Sequence, residues 1–171
     1  MNQDIYAEWL IKRKSPWYKI PYYLLVVVLV LAVIIFMVTS PYGSWGIVGF
    51  AAIIVAVMFT HRYMNIEYEY VFVTSELSVD AIYSQQIRKN KLRVEMSDVE
   101  SVEATKAEWL KQKQDDKSIV FEDYTSGEKD AESYTIIYTS KGATHILTFE
   151  PDEKLLHAMW RCSPSKVKIK R

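Results

Sequence analysis

The stretches IPYYLLVVVLVLAVIIFMV (residues 20–38) and WGIVGFAAIIVAVMFTHRY (residues 45–63) decide the fold of this chain. Each corresponds to about 28 Å of α-helix, close to the roughly 30 Å hydrocarbon thickness of a bilayer. The link TSPYGS supplies Pro41 and Gly43, which are typical of a tight reversal. The sequence therefore predicts a transmembrane helical hairpin over residues 20–63 and a polar domain over residues 66–164.

The charges beside the hairpin predict its orientation. Lys12, Arg13, Lys14 and Lys19 precede the first span and Arg62 closes the second, whereas the turn is uncharged. Lys and Arg are in excess on cytoplasmic flanks, so we expect a two-span cell membrane protein with both termini in the cytoplasm. Aromatic residues typical of interfacial belts flank the spans: Trp17, Tyr18, Tyr22, Tyr23 and Tyr63 at the inner end, and Tyr42 and Trp45 at the outer end.

Small residues mark one face of the second span. Gly46, Gly49, Ala52 and Ala56 recur at near-helical spacing, which allows another helix backbone to approach closely. That partner is either the first span or a second copy in a homo-oligomer. Neither span has Asp, Glu, Lys or Asn in its middle, and this disfavours a transporter, because intramembrane ionisable groups usually mark ion or proton paths.

Residues 1–19 are predicted to form a cytoplasmic N-terminal segment. Within it, Ile5, Trp9 and Lys12 recur near the helical period. The stretch 4–14 is therefore either a helix lying on the inner membrane surface, with its cations near anionic lipid, or a solvated flank.

After Asn65 the apolar period changes to two, which is the signature of β-strands. Seven segments are predicted as strands: those around Tyr68–Phe72, Leu77–Ala81 and Leu92–Met96, followed by Val99–Ala104, Ser118–Asp123, Tyr134–Thr139 and Thr144–Glu150. Lys141-Gly142 is predicted to be a hairpin turn. The stretch Lys106–Gln114 is either a short helix or an irregular insertion.

An amphipathic helix is predicted to close the chain before Pro164. Pro151 suits its first turn, and Asp152 and Glu153 suit its positive end. Its apolar stripe consists of Leu155, Leu156, Met159 and Trp160. Together these elements predict an α+β membrane protein: a hairpin followed by a PH-like, nearly closed antiparallel β-barrel of about seven strands. A C-terminal helix would cap this barrel, with Leu156 and Trp160 completing the core.

The segments NIEYEYVFVTSELSVDAIYSQQIRKNKLRVEMSDVESVEA and FEPDEKLLHAMWRCSPSKV, together with the hairpin, carry a family resemblance. The chain resembles a family of uncharacterised two-span bacterial membrane proteins, labelled a domain of unknown function, with a PH-like cytoplasmic domain. The resemblance implies fold and location. It implies no catalytic or ligand-binding residues, because the family has no assigned activity. The stretch Lys106–Lys117 departs from the family pattern.

Residues suited to catalysis or metal binding are few. Cys162 and His157 are five positions apart, so a helix would place them on different faces. The three histidines, His61, His145 and His157, show no metal-ligand spacing. The sequence predicts a non-enzymatic protein without a metal or cofactor.

The strongest charged feature is the group Arg88, Lys89, Lys91 and Arg93. Lys91 and Arg93 are predicted on the outward face of a strand, and Arg88 and Lys89 in the preceding turn. The group is either a patch that contacts anionic headgroups or a solvated edge protected from aggregation.

A second basic stretch, the tail over residues 165–171, ends the chain. Its cations are Lys166, Lys168, Lys170 and Arg171, and it is either disordered or a further membrane contact. Lys and Arg (21) balance Asp and Glu (21), and neither basic run is interleaved with aromatics, so we expect no nucleic-acid partner.

These features predict a membrane-anchored interaction or scaffolding module on the cytoplasmic face of a bacterial membrane. Alternative functions are sensing of anionic lipid through the basic group, or an accessory role in a membrane transport complex. The expected partners are the bilayer, a membrane or cytoplasmic protein, and a second copy of the chain.

Overall fold

A computed structural model describes residues 5–106, 109–110 and 118–169 of the chain. Most of the stretch Lys106–Lys117 lies outside these residues, as do Lys170 and Arg171. The predictions made for them from the sequence therefore also lie outside the described residues. The chain forms two compact units, one made of Met1–Lys14 and Glu67–Arg171 and the other of Ser15–Ile66. The N-terminal residues therefore belong with the β-rich part of the chain.

The unit Ser15–Ile66 is a pair of helices. Helix α1 spans Lys19–Thr39, a 3₁₀ turn covers Gly43–Trp45, and helix α2 spans Gly46–Met64. Both predicted apolar segments are therefore helical. Both helices are long and apolar enough to cross a membrane, with mean hydropathies of 2.9 and 2.0 in their most apolar windows. Their apolar side chains face outward, and α1 has no buried residue.

The two helices contact each other through small residues and hydrogen-bonded tyrosines. A Cβ added at Gly46 would lie 2.1 Å from Cγ of Met37, so the absence of a side chain there permits the close approach. At the other end of the pair, the Tyr22 hydroxyl donates to Thr60 Oγ1 at 2.8 Å. The Tyr23 hydroxyl lies 2.8 Å from Nδ1 of His61, so this histidine contacts the neighbouring helix.

The described residues of the other unit form eight strands in two four-stranded sheets. Sheet A has the order β1-β2-β3-β4, from Tyr6–Lys12, Ile66–Val73, Glu76–Tyr83 and Ile87–Glu95. Sheet B has the order β5-β7-β8-β6, from Val99–Ala104, Tyr134–Ser140, Ala143–Phe149 and Ile119–Asp123. All seven predicted strands are present, and the Lys141-Gly142 turn joins β7 to β8 with both residues at positive φ.

The N-terminal segment is the largest departure from the sequence-based expectation. It is neither a surface helix nor a solvated flank but strand β1, which pairs antiparallel with β2 from Tyr6↔Val73 to Lys12↔Glu67. Ala7 and Ile11 are buried on the face that β1 shares with Phe72 and Tyr68. Burial of these side chains and the backbone ladder favour the strand over a helix.

The prediction of a nearly closed antiparallel barrel is wrong in two respects. The strands form two separate sheets rather than one closed sheet, and β6 runs parallel to β8. Because β7 and β8 form an antiparallel hairpin, β6 runs in the same direction as β8 and opposite to β7, which follows it in the chain.

Side chains from both sheets and from helix α3 (Glu153–Cys162) form the core of this unit. The rings of Tyr70 in sheet A and Phe149 in sheet B meet edge to face, with centroids 5.6 Å apart. Leu155, Leu156 and Met159 are buried, as predicted. Trp160 does not complete the core, since it is 42% exposed and its ring instead meets His157 edge to face.

The start of α3 differs by one position from the prediction. Asp152 is the N-cap, and its side chain accepts a hydrogen bond from the Leu155 N–H at 2.8 Å. Pro151 therefore precedes the cap rather than lying in the first turn. The cap satisfies one of the free amides at the helix start and is worth about 1 kcal/mol.

Candidate binding surfaces

The basic residues Arg88, Lys89, Lys91 and Arg93 all lie on β4 and are exposed. The prediction of Arg88 and Lys89 in a turn is wrong, because the turn falls earlier, at Ser84-Gln85, where both residues have positive φ. A β-bulge interrupts the strand: Val79 pairs with Leu92 and Asp80 with Asn90, so Lys91 is the extra residue. A bulge changes which face the following side chains occupy.

The bulge divides the four cations between two sides of the sheet. The ammonium groups of Lys89 and Lys91 lie 5.9 and 5.7 Å from the ring centroid of Tyr83. Arg88 lies on the opposite face, where it pairs with Glu69 at 2.8 Å and approaches Asp80 at 3.9 Å. These residues therefore do not form one continuous cationic patch.

The outer face of sheet A, which carries Arg88 and Arg93, is rich in acidic residues. Strand alternation places more carboxylates than cations on it: Glu8, Glu67, Glu69, Glu76, Asp80 and Glu95 against Lys12, Arg88 and Arg93. Such a face repels an anionic membrane surface more than it attracts it.

The basic C-terminal stretch is structured over the part that the structure describes. Val167 forms a parallel bridge with Val102 of β5, and the backbones of Lys166 and Lys168 hydrogen-bond to Val102. The ammonium of Lys166 donates to the carbonyl of Met96 at 2.7 Å, and that of Lys168 pairs with Glu103 at 2.6 Å. Both ammonium groups therefore have partners within the chain, and the tail covers the edge of sheet B at β5.

The predicted small-residue face of α2 is divided in the structure. Gly46 and Gly49 face α1, where a Cβ at Gly49 would lie 3.7 Å from Val33. Ala52 and Ala56 are exposed, and the less exposed positions further along α2 are Ile53, Val57 and Thr60. The intramolecular contact therefore uses the glycines but not the alanines.

The free edge of β1 is a surface that the sequence interpretation missed. At the start of the β1–β2 ladder, the Thr74 N–H donates to the Ile5 carbonyl at 2.8 Å. Because bonded pairs alternate in an antiparallel ladder, Tyr6, Glu8 and Leu10 direct their N–H and C=O groups away from β2. Within residues 5–106, 109–110 and 118–169, no backbone group pairs with this stretch.

The far end of the same edge is closed. The Lys14 N–H donates to the Ser126 carbonyl at 2.7 Å. Ser126 is itself held by its hydroxyl, which donates to Glu150 Oε1 at 3.0 Å in a buried contact. The loop at Ser126 thus closes the edge at Lys14, just beyond the end of β1.

A groove lies between this open edge and α3. Its lining comes from Ile5, Tyr6, Ala7 and Glu8 on one side and from Glu153, Lys154, His157, Ala158 and Arg161 on the other. Its volume is about 690 Å³, within the range of 300–1,000 Å³ that is usual for ligand sites. Tyr6 is 59% exposed, Trp9 41% and Leu10 46%, so large side chains flank the edge.

A polar cluster lies on sheet B, at Glu122, Tyr138 and His145. The Tyr138 hydroxyl donates to Glu122 Oε2 at 2.7 Å, and the Tyr138 and His145 rings stack with centroids 4.9 Å apart. Burial, together with the adjacent carboxylate, raises the pKa of Tyr138. His145 Nδ1 lies 4.0 Å from Glu122 Oε1, which is too long for a hydrogen bond.

A second group of buried tyrosines joins the two sheets. The Tyr70 hydroxyl donates to the carbonyl of Tyr124 at 2.5 Å, and burial raises the pKa of Tyr70 well above its usual value. Burial also raises the pKa of Tyr124 to about 12. Both hydroxyls are therefore protonated at neutral pH, and that of Tyr70 is a hydrogen-bond donor.

The described residues offer little for metal binding or nucleophilic chemistry. Across residues 5–106, 109–110 and 118–169, no three His, Cys, Asp or Glu side chains are arranged to hold a metal ion. Cys162 is a free, partly exposed thiol near the end of α3.

Two sheets closed by a C-terminal helix, with an apolar helical pair inserted after the first strand, define a PH-like protein with two candidate membrane spans. The family model for the bacterial PH-like domain (DUF6106) matches residues 3–169, and the chain belongs to this family of unknown function. The resemblance stated from the sequence is thereby confirmed. PH-like domains are generally non-enzymatic. Comparisons with curated proteins and with solved structures give no significant match.

Proposed function

We propose that this protein is a membrane-anchored, non-enzymatic module that binds a partner protein on the cytoplasmic face of a bacterial membrane. The open edge of β1 is the observation that carries the binding role. Exposed strand edges pair readily with other chains, and proteins usually cover them or place charges on them. Here the tail covers β5, and a bulge and four cations occupy β4, whereas β1 is open and flanked by Tyr6 and Leu10.

The pairing of β1 with β2 supports the anchored arrangement. These strands directly precede and follow the two apolar helices, and they lie in one ladder. Two strands can pair only if both are on the same side of a membrane. The helices must therefore cross as a pair or not at all. The Lys and Arg before α1 favour the cytoplasm for both termini.

Sensing of anionic lipid is the weaker candidate. The arrangement of Lys89 and Lys91 over Tyr83 leaves two exposed cations for such a role. Against it, Arg88 is neutralised by Glu69, and the outer face of sheet A is rich in carboxylates. An exposed cation near a membrane contributes only about 1 kcal/mol, so two give little affinity.

Site-specific photo-crosslinking in the native membrane tests the binding role. A photoreactive residue replaces Leu10 (46% exposed), and in a matched control it replaces Val120 (43% exposed) on β6. We expect a discrete crosslinked protein from position 10 that is absent from position 120. It should disappear when Glu8→Pro removes the N–H that Glu8 directs to the open edge, and it should survive Glu8→Ala.

Equal yields of crosslinked protein from positions 10 and 120 contradict binding at this edge. A crosslinked product whose yield Glu8→Pro does not change contradicts it as well. Crosslinking to lipid alone from position 10 contradicts the proposed protein-binding role.

A further inference from the structure

One face of α3 lines the groove beside β1 with basic side chains. Lys154, His157 and Arg161 recur at i, i+3 and i+7, line the groove and are exposed. Within residues 5–106, 109–110 and 118–169, neither Lys154 nor Arg161 forms an ion pair within 4.0 Å. Moreover, Lys154 lies in the first turn of α3, where the helix dipole disfavours a cation. The same dipole favours Arg161, which lies in the last turn, so helix stability accounts for Arg161 but not for Lys154.

We propose that this groove binds an extended acidic segment of a partner protein, which adds to the open edge of β1 as a further strand. The inference rests on the proposed function and names the chemistry of the partner. Backbone groups of Tyr6, Glu8 and Leu10 pair with the segment. Its side chains on the α3 side are carboxylates that meet Lys154, His157 and Arg161.

The spacing of Lys154 and Arg161 on α3 can be compared with that of alternate residues on a strand. Alternate residues of a strand are about 6.7 Å apart, and successive turns of a helix are about 5.4 Å apart. Lys154 and Arg161, seven positions apart, are about 10.5 Å apart along the helix axis. Two steps between alternate strand residues cover about 13 Å, and the long, flexible Lys and Arg side chains can span the difference. Arginine also binds a carboxylate through two parallel hydrogen bonds, which favours acidic residues over merely polar ones.

The acidic residues of the groove determine the other face of the segment. Glu8 lies on the outer face of β1, where the Tyr6 hydroxyl donates to it, and that face also carries Leu10. Side chains of the bound segment on this face are apolar, since they form cross-strand pairs with Tyr6 and Leu10 and would be repelled by Glu8 if acidic. Glu153 lies at the rim, in the first turn of α3. The segment thus alternates acidic and apolar residues.

Selection from a displayed library of random octapeptides tests this inference. The full chain in nanodiscs of neutral phosphatidylcholine serves as bait, and the Glu8→Pro variant serves for counter-selection. We expect enriched peptides with Asp or Glu at alternate positions and apolar residues between them. Lys154→Glu combined with Arg161→Glu should weaken their binding at least tenfold. The matched pair Lys89→Glu and Lys91→Glu, with the same charge change on β4, should leave it within twofold.

Each other outcome overturns the inference. Enriched peptides without alternating acids, or peptides insensitive to the Lys154/Arg161 reversal, contradict the acidic partner but leave a partner at the β1 edge standing. Peptides that bind wild type and Glu8→Pro equally contradict strand addition. Failure of the library to enrich any peptide also overturns the inference, whereas the proposed function is judged separately by crosslinking at position 10.

Discussion

The helical pair and the β unit place their apolar residues in opposite ways. Along α1, Leu24, Val27 and Val38 are 57–81% exposed, and no residue of that helix is buried. In the β unit, Phe72, Leu147 and Phe149 are fully buried. Water favours the second arrangement and penalises the first, because exposed apolar area costs about 25 cal/mol per Å². On its own in water the helical pair is therefore unfavourable, whereas the β unit buries its apolar residues away from water.

The difference also explains how the chain is joined. An apolar pair inserted between two neighbouring strands leaves the ladder of sheet A unbroken, because its two ends meet again at β1 and β2. The β unit is thus attached by two links rather than one. If a bilayer surrounds the helices, sheet A and its open edge stay on a single side of it.

The largest expected effect is an all-or-none difference in labelling, and it tests whether the N- and C-terminal parts of the chain lie on the same side of the membrane. In a Cys162→Ser background, single cysteines are introduced at Ser44, in the turn between the helices, and at Ser165, after α3. We expect a membrane-impermeant maleimide to label Ser44→Cys in intact cells and to label Ser165→Cys only after permeabilisation. The reason is that a helical pair that crosses the membrane would put its turn on one side and its two ends, which continue into β1 and β2, on the other.

Labelling of Ser165→Cys but not of Ser44→Cys in intact cells would mean that the orientation is the reverse of the one predicted. If neither position is labelled until the cells are permeabilised, the helices do not cross the cell membrane. Labelling of both positions in intact cells would lead to the same conclusion. A single cysteine that replaces Tyr6, which is exposed, should behave like the one at position 165, because both positions belong to the same β unit.

The next effect compares one aromatic residue from each unit. Phe149→Ala should lower the free energy of unfolding by about 3–5 kcal/mol, because it leaves a cavity opposite Tyr70. Phe36→Ala, at a position that is 44% exposed, should cost less than about 1 kcal/mol, because no closed cavity forms. Urea titration in a neutral detergent measures both. Similar costs would mean that Phe36 is buried against a further partner.

Much of this architecture follows from local pattern. The apolar lengths predicted both helices, and alternation predicted seven strands, because inward positions such as Tyr70, Phe72 and Val79 must be apolar. The Lys141-Gly142 turn was also predictable, since both residues need positive φ and glycine adopts it readily.

What escaped prediction depends on contacts between distant parts of the chain. Strand β1 pairs with residues more than fifty positions away, and its seven residues fit either period. The available signal was the alternation of Ala7, Trp9 and Ile11 with Glu8 and other outward residues, which the apolar Leu10 weakens. The bulge at Lys91, which divides the basic group, and the bridge from Val167 to β5 have no signal in their own segments.

The smallest effect separates packing within the helical pair from packing between copies. Gly46→Val should lower the stability of the pair by about 1–3 kcal/mol, because the added side chain meets Met37 and its Cβ alone would lie 2.1 Å from Cγ. Ala52→Val should change it by less than about 0.5 kcal/mol, because Ala52 is exposed and does not face α1. Loss of helical circular dichroism during titration with dodecyl sulfate measures both, and light scattering reports the oligomeric state.

The two variants then discriminate between the two uses of the small residues. A monomer in which only Gly46→Val is destabilised means that the glycines serve the contact with α1. If Ala52→Val instead dissociates an oligomer while Gly46→Val has no effect, the small-residue face joins separate copies. In that case Ala52 and Ala56 form the seam, since they are exposed on α2 of the single chain.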